Sequence, residues 1–107
     1  MHEIEFRRWD SINKVMLSHK EIPVLLKNVK NDSQFTYMQY TGEKDEKLRK
    51  IYGGDIFQQF NGRIGVIRYF NATWWIGNKA GVVGLNLEAG LGKVIGNATE
   101  NSKLLAK

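Results

Sequence analysis

Short strand-like runs, each cut off by a glycine or an asparagine, fill the chain from Phe35 to Asn97, and this punctuation limits the fold more than any other feature. Runs such as "SQFTYMQYTG", "GGDIFQQF", "RIGVIRYF", "NATWWIG" and "KVIGN" are long enough for strands and too short for ordinary helices. Eleven glycines against one proline fit tight turns rather than a proline-rich linker. Such strands suit a strongly bent barrel of SH3-like size. The fold class is therefore mainly β (α+β). An N-terminal hairpin and short helix occupy 1–40, and a small SH3-like β-barrel with a short C-terminal turn occupies 41–107.

The segments differ in pattern. "EIEFRRW" alternates, with Ile4 and Phe6 on one side and Glu3, Glu5 and Arg7 on the other. Trp9 breaks that parity, as at a bulge or a strand end. Asp10, Ser11 and Asn13 then turn the chain into Val15–Leu17, which gives a hairpin. Over 20–30, Ile22, Leu25, Leu26 and Val29 fall at helical spacing with Pro23 in a first turn, although "IPVLL" also fits a strand. Phe35 and Tyr37 share one face and Thr36, Met38 and Tyr40 the other, so this strand is expected to be enclosed on both sides. Asn61-Gly62 carries a two-residue hairpin signal. Residues 78–92 read as a long loop or weak strands, and "ENSKLLAK" as one helical turn capped by Asn101 or Ser102.

Composition narrows the chemistry. With 107 residues the chain suffices for one compact domain with a short extension, and 42% hydrophobic residues allow a buried core. The absence of cysteine rules out disulfides and thiolate zinc sites. His2 and His19 lie in no ligand spacing, so no metal is expected. "MHEIEFRRWD" puts charges where a signal peptide needs its apolar core, and no run has the length of a membrane span. The reading is a soluble protein of the cytoplasm without membrane partners. Its net charge of +5 suits acidic partners, nucleic acid included, but charge of that size also serves solubility alone.

"MQYTGEKDEKLRKIYGGDIF", from Met38 to Phe57, poses the main chemical question. A Walker loop needs G-x-x-x-x-G-K-[ST], and neither Gly53-Gly54 nor the later "GLGKV" supplies it. Asp45 and Glu46 are neighbours between Lys44 and Lys47, a setting for ordinary ionised carboxylates rather than an acid/base pair. Asp55 follows two glycines at a strand start, where a side chain bonding turn amides is the usual use. Gly42, Gly54, Asp55, Asn61 and Gly62 are thus assigned to structural turns, and no serine stands in a nucleophile-elbow context. No catalytic residue and no cofactor is expected.

Trp74 and Trp75 are adjacent, so in a strand they point to opposite faces. With Arg63, Arg68, Tyr69 and Lys79 they make a basic and aromatic set of the kind that binds single-stranded nucleic acid or a protein partner. The plainer reading has one tryptophan closing the barrel and the cations solvated. Arg7 and Arg8, flanking the first strand, are expected to pair with Glu3 or Glu5.

Three blocks point to relatives. "HEIEFRRWDSINKVM", "MQYTGEKDEKLRKIYGGDI" and "KVIGNATENSKLL" resemble the start, middle and end signatures of the YopX-like family of phage and prophage proteins. Met38, Gln39, Tyr40, Thr41, Gly42, Lys44 and Asp45 match the middle block, as do Ile51, Tyr52, Gly54, Asp55 and Ile56. Val94, Ile95, Gly96 and Asn97, then Glu100 and Asn101, match the last. Leu48 stands where a turn glycine is common, and Gly53 where glutamate is common. The resemblance implies an N-terminal α+β segment, an SH3-type barrel and a phage or prophage origin in a bacterial host cell, with no catalytic residues to carry over. The expectation is a non-enzymatic accessory protein that binds a protein partner or itself as a homo-oligomer. The alternative is a single-stranded nucleic-acid-binding module using the basic and aromatic face.

Overall fold

The computed structural model describes residues 5–18 and 34–105, so the helix expected over 20–30 lies outside the described residues. The chain divides into two compact units, Met1–Tyr40 and Thr41–Lys107.

In the first unit β1 (Phe6–Asp10) lies between β2 (Val15–Leu17) and β3 (Phe35–Lys44), antiparallel to both. The β1–β2 turn hangs on Asp10. Its Oδ1 accepts the Ile12 and Asn13 amides at 3.0 Å and the Gln34 Nε2 at 2.9 Å, while Oδ2 accepts the Asn13 Nδ2 at 2.8 Å. Lys14 then takes a left-handed φ of 56° to re-enter β2. Pairing runs regularly through Trp9, opposite Met16 and Thr36, so Trp9 marks no bulge. The broken parity reflects a strand buried on both faces, with Arg8 and Trp9 buried on opposite sides. β3 is enclosed unevenly: Met38 and Tyr40 are buried on one face, while on the other Tyr37 and Gln39 are exposed, Phe35 is half-buried and Thr41 is buried. Arg8, expected to pair with Glu3 or Glu5, is instead a buried cation over a ring. It is 1% exposed, lies 4.0 Å over the Phe35 ring, and its Nε and Nη1 have no hydrogen-bond partner among the described residues. The ring face offsets part of the desolvation cost, by about 2 kcal/mol.

The second unit begins on the last residues of β3, with β4 (Lys50–Tyr52) beside that strand. A five-stranded antiparallel sheet follows in the order β8-β7-β6-β5-β9, made of β5 (Asp55–Gln58), β6 (Ile64–Phe70), β7 (Thr73–Asn78), β8 (Gly81–Gly84) and β9 (Lys93–Asn97). The register of β5 against β9 shifts between Ile56 and Phe57. A bulge there bends the strand and raises its twist, and the sheet curls into a half-barrel of small-barrel size. Ile51, Phe57, Ile67, Ile76, Leu85 and Ala89 form its buried core, with Trp74 and Val94 packed against them. Full burial of each large member contributes roughly 1.5–3 kcal/mol, so this cluster is the main source of the unit's stability.

Residues 78–92 are more ordered than a long loop: β8 leads directly into the short helix α1 (Leu85–Glu88) and a 3₁₀ turn at Ala89–Leu91. Hydropathy missed the helix because one turn places a single side chain, Leu85, in the core. A closing 3₁₀ turn spans Ser102–Leu105, but the Asn101 side chain reaches back to accept the Asn97 amide at 3.0 Å instead of capping it. Asn61-Gly62 does not form a two-residue hairpin either. The Gln59 amide donates to Arg63 O at 2.8 Å, and only Gly62 of the pair is left-handed, at φ 88°. Asn61 instead spends its Oδ1 on the Arg63 amide at 2.9 Å.

The two-residue turn occurs one hairpin later, at Asn71 (φ 50°) and Ala72 (φ 62°), between the paired Phe70 and Thr73. Such a turn needs positive φ at both central residues, and alanine bears a steric cost there. Leu48, 78% exposed with φ 64°, bears the same cost in the charged loop. Ala72→Gly and Leu48→Gly should each raise stability by about 0.5–1 kcal/mol, the relief of left-handed strain exceeding the added freedom of the unfolded chain. A urea midpoint that falls in both variants would contradict the strain assignment.

Candidate functional site

The charged loop after β3 is organised by Asp45. This carboxylate is buried; Oδ1 accepts the Lys47 and Arg49 amides at 2.9 and 3.0 Å, and Oδ2 accepts the Val94 amide at 3.0 Å. Arg49 adds a 3.3 Å ion pair through Nε while its Nη2 donates to Val94 O at 2.8 Å. Burial alone would raise the Asp45 pKa, but the amides of Val94, Arg49 and Lys47 and the Arg49 charge outweigh it and hold the carboxyl below its ordinary value. Asp45 is therefore not a solvated loop acid. The sequence hid this because the deciding donor, Val94, lies 49 positions away.

The glycine turn before β5 is equally committed. Gly54 takes φ 88°, its amide donates to Ile67 O at 2.8 Å, and its carbonyl accepts the Ala98 amide at 2.8 Å. Asp55, also buried, accepts the Tyr52 amide on Oδ2 at 2.8 Å. Gly42 and Gly62 are left-handed as well. Gly92 of "GLGKV" answers a different need. A Cβ there would come within 2.7 Å of the Phe57 ring and closer still to the Gln58 carbonyl, so the glycine admits the strand against the core. Among the described residues no group of three or more His, Cys, Asp or Glu side chains could hold a metal.

The basic and aromatic set is divided by the sheet. Trp74 faces the core and meets Tyr69, its partner across the strands, edge-on at 4.9 Å. Trp75 lies on the opposite, outer face, stacked on Phe70 at 5.1 Å and 16°, with Nε1 donating to Phe70 O at 2.9 Å. Arg68 pairs across from Trp75 on that face. Arg63 and Lys79 lie elsewhere. They line an open groove of about 550 Å³ whose apolar lining includes Ile64, Val66, Gly77 and Leu104.

The two sheet edges contrast. On β9 both backbone groups of Val94 are taken by Asp45 and Arg49, and the Glu46 amide donates to Gly92 O at 2.9 Å just before the strand. On β8 no turn or loop backbone bond reaches Gly81, Val82 or Val83 among the described residues. Val82 and Val83 of β8 are 50% and 40% exposed, and the strand contains no charged residue or proline.

Removing the Asp45 acceptor leaves buried amides unsatisfied, so Asp45→Ala should lower stability by about 3 kcal/mol in urea unfolding. The pH dependence has a definite sign. Asp45 and Asp10 both have pKa values below their unfolded ones; Asp10 is lowered to about 2, chiefly by the Asn13 amide. Their stabilisation is complete above the ordinary carboxylate range, near pH 4, and is lost as pH falls through each folded value, which for Asp10 is about 2. Asp45→Asn should flatten that loss; an unchanged slope would refute the assignment.

Comparison with known proteins bears on the whole chain. Protein EF1440 from Enterococcus faecalis, known from its crystal structure, superposes with a TM-score of 0.73 at 22% identity, over 98% of this chain and 99% of that one. That likeness shows a shared fold. No curated protein matches. None of the described helices is long and apolar enough to cross a membrane. The model of the YopX protein family matches residues 18–106, and the chain belongs to that family.

Proposed function

We propose that the protein is a non-enzymatic protein-interaction module that assembles by strand addition at β8. The supporting observation is the contrast between its edges among the described residues. β9 is closed by the Asp45 and Arg49 side chains, whereas no turn or loop backbone bond reaches β8 from Gly81 to Val83, and that strand carries two half-exposed valines. An edge strand without charge or proline is a template for another strand. Two copies of Gly81–Gly84 can pair antiparallel about a two-fold axis, where every contact occurs twice and each copy offers the other its two valines. The resemblance to phage and prophage proteins supports reading this module as an accessory protein acting in the cytoplasm of a bacterial host.

A second reading rests on Arg68, exposed beside Trp75 on the outer face, next to the exposed ring of Phe70. A cation beside aromatic rings suits a single strand, with stacking worth about 1–3 kcal/mol per base. It ranks lower because Phe70 and Trp75 already stack on each other.

Light scattering across a concentration series separates the two readings. Strand addition predicts a mass rising toward the dimer, independent of a single strand, and a return to monomer in Val82→Lys. A protein that stays monomeric when concentrated, and gains mass only with oligothymidylate in a salt-sensitive and Arg68-dependent way, would reverse the order.

A further inference from the structure

The groove beside β6 and β7 borders β8 at Gly77, which pairs with Val82, but it has its own chemistry. Its middle is open because Gly77, opposite Val66 in the register, has no side chain. A methyl group at Gly77 would meet only Val82 Cγ1, at 3.4 Å, and Val66 O, at 4.0 Å, which is ordinary contact. Packing therefore does not demand this glycine. Gly65, one position away in the groove wall, is different: a Cβ there would come within 2.7 Å of Ile76 Cγ2 and 2.9 Å of Gly77 O.

The charges of the groove have one sign. Among the described residues Arg63 and Lys79 line it, no acidic residue does, and neither cation has an ion pair. The other polar side chain there, Asn78, is committed, with Nδ2 donating to Ile64 O at 3.3 Å and Oδ1 accepting the Ala80 amide at 2.8 Å. Polar recognition is thus left to the two cations, over an apolar floor. The volume of about 550 Å³ is in the range of ligand sites. No aromatic ring lines the groove, so a nucleotide base would find nothing to stack on.

We propose that this groove docks an acidic, apolar peptide segment of a partner protein, seating an apolar side chain over Gly77 and carboxylates within reach of Arg63 and Lys79. The charge complementarity is one-sided, and the apolar surround strengthens the attraction between carboxylate and cation, which offsets the cost of desolvating them. The groove draws on chemistry distinct from that of the β8 edge. Its test is run on the unsubstituted protein, at concentrations below those at which light scattering detects a dimer, so that either idea can fail alone.

The probes are a rhodamine-labelled hexapeptide of alternating Leu and Glu, its Leu/Gln and Leu/Lys counterparts, and oligothymidylate. Binding is read by anisotropy and located by amide NMR shifts. The Leu/Glu peptide should bind at least about 10-fold tighter than the Leu/Gln peptide and shift the Gly65 and Gly77 amides. Arg63→Gln with Lys79→Gln should abolish that preference. Gly77→Ala should weaken binding about 3-fold or more while leaving the melting temperature nearly unchanged. Equal binding of the Leu/Glu and Leu/Lys peptides, shifts confined to other residues, a preference that survives the double variant, or oligothymidylate binding lost in that variant would each overturn the proposal.

Discussion

The Asp45 carboxylate ties the second unit together. With one oxygen it gathers the amides of its own loop, and with the other it takes the amide of Val94 in β9. Three consequences follow from that placement. The loop is drawn tight enough to force Leu48 into left-handed backbone. Arg49 is brought within reach of the Val94 carbonyl. The β9 edge is then closed on donor and acceptor alike, so the sheet is left with one open edge, at β8. A charged group can do this only because several donors converge on it; a buried carboxylate with fewer partners would protonate instead.

Much of the architecture was legible in the sequence, for a simple reason. Strand length, alternation and turn residues are local properties, and a mainly β chain of short antiparallel strands is built from them. The opposed faces of Trp74 and Trp75 follow from strand geometry alone. What escaped was non-local. Nothing near Asp45 announces Val94, and nothing near Arg8 announces that Phe35 will lie under its guanidinium. Charge patterning reads Asp45 as an ordinary loop acid and Arg8 as paired with Glu3 or Glu5, since it cannot see which amides or rings the fold will bring near. Asn61-Gly62 shows a subtler limit. The dipeptide specifies a turn, but the Asn61 bond to the Arg63 amide selects a longer hairpin loop over the two-residue one.

The glycines separate by the same logic. A glycine-rich string suggests a phosphate cradle only if its amides are free to point at a ligand. In the Gly53-Gly54 turn the Gly54 amide and carbonyl are both used within the sheet, and Gly92 is required by the approach of Phe57 and Gln58. Those glycines are explained by the fold. Gly77 is not, because its neighbours would accept a methyl group. A position where packing tolerates a side chain, yet the residue that lines an apolar groove is the smallest, is where selection for an occupant is the more economical account.

The edge and the groove also divide the work of recognition between two physical terms. Strand addition at β8 draws on backbone hydrogen bonds, which are nearly indifferent to sequence, and on two valines that fit many apolar surfaces. Such an edge associates readily and discriminates poorly. The groove has the opposite character: its backbone is already paired in the sheet, and its selectivity rests on the sign of Arg63 and Lys79 over a shaped apolar floor. A module carrying both can assemble through the first and choose its partner through the second. Because one depends on edge geometry and the other on charge, salt should weaken the groove far more than the edge.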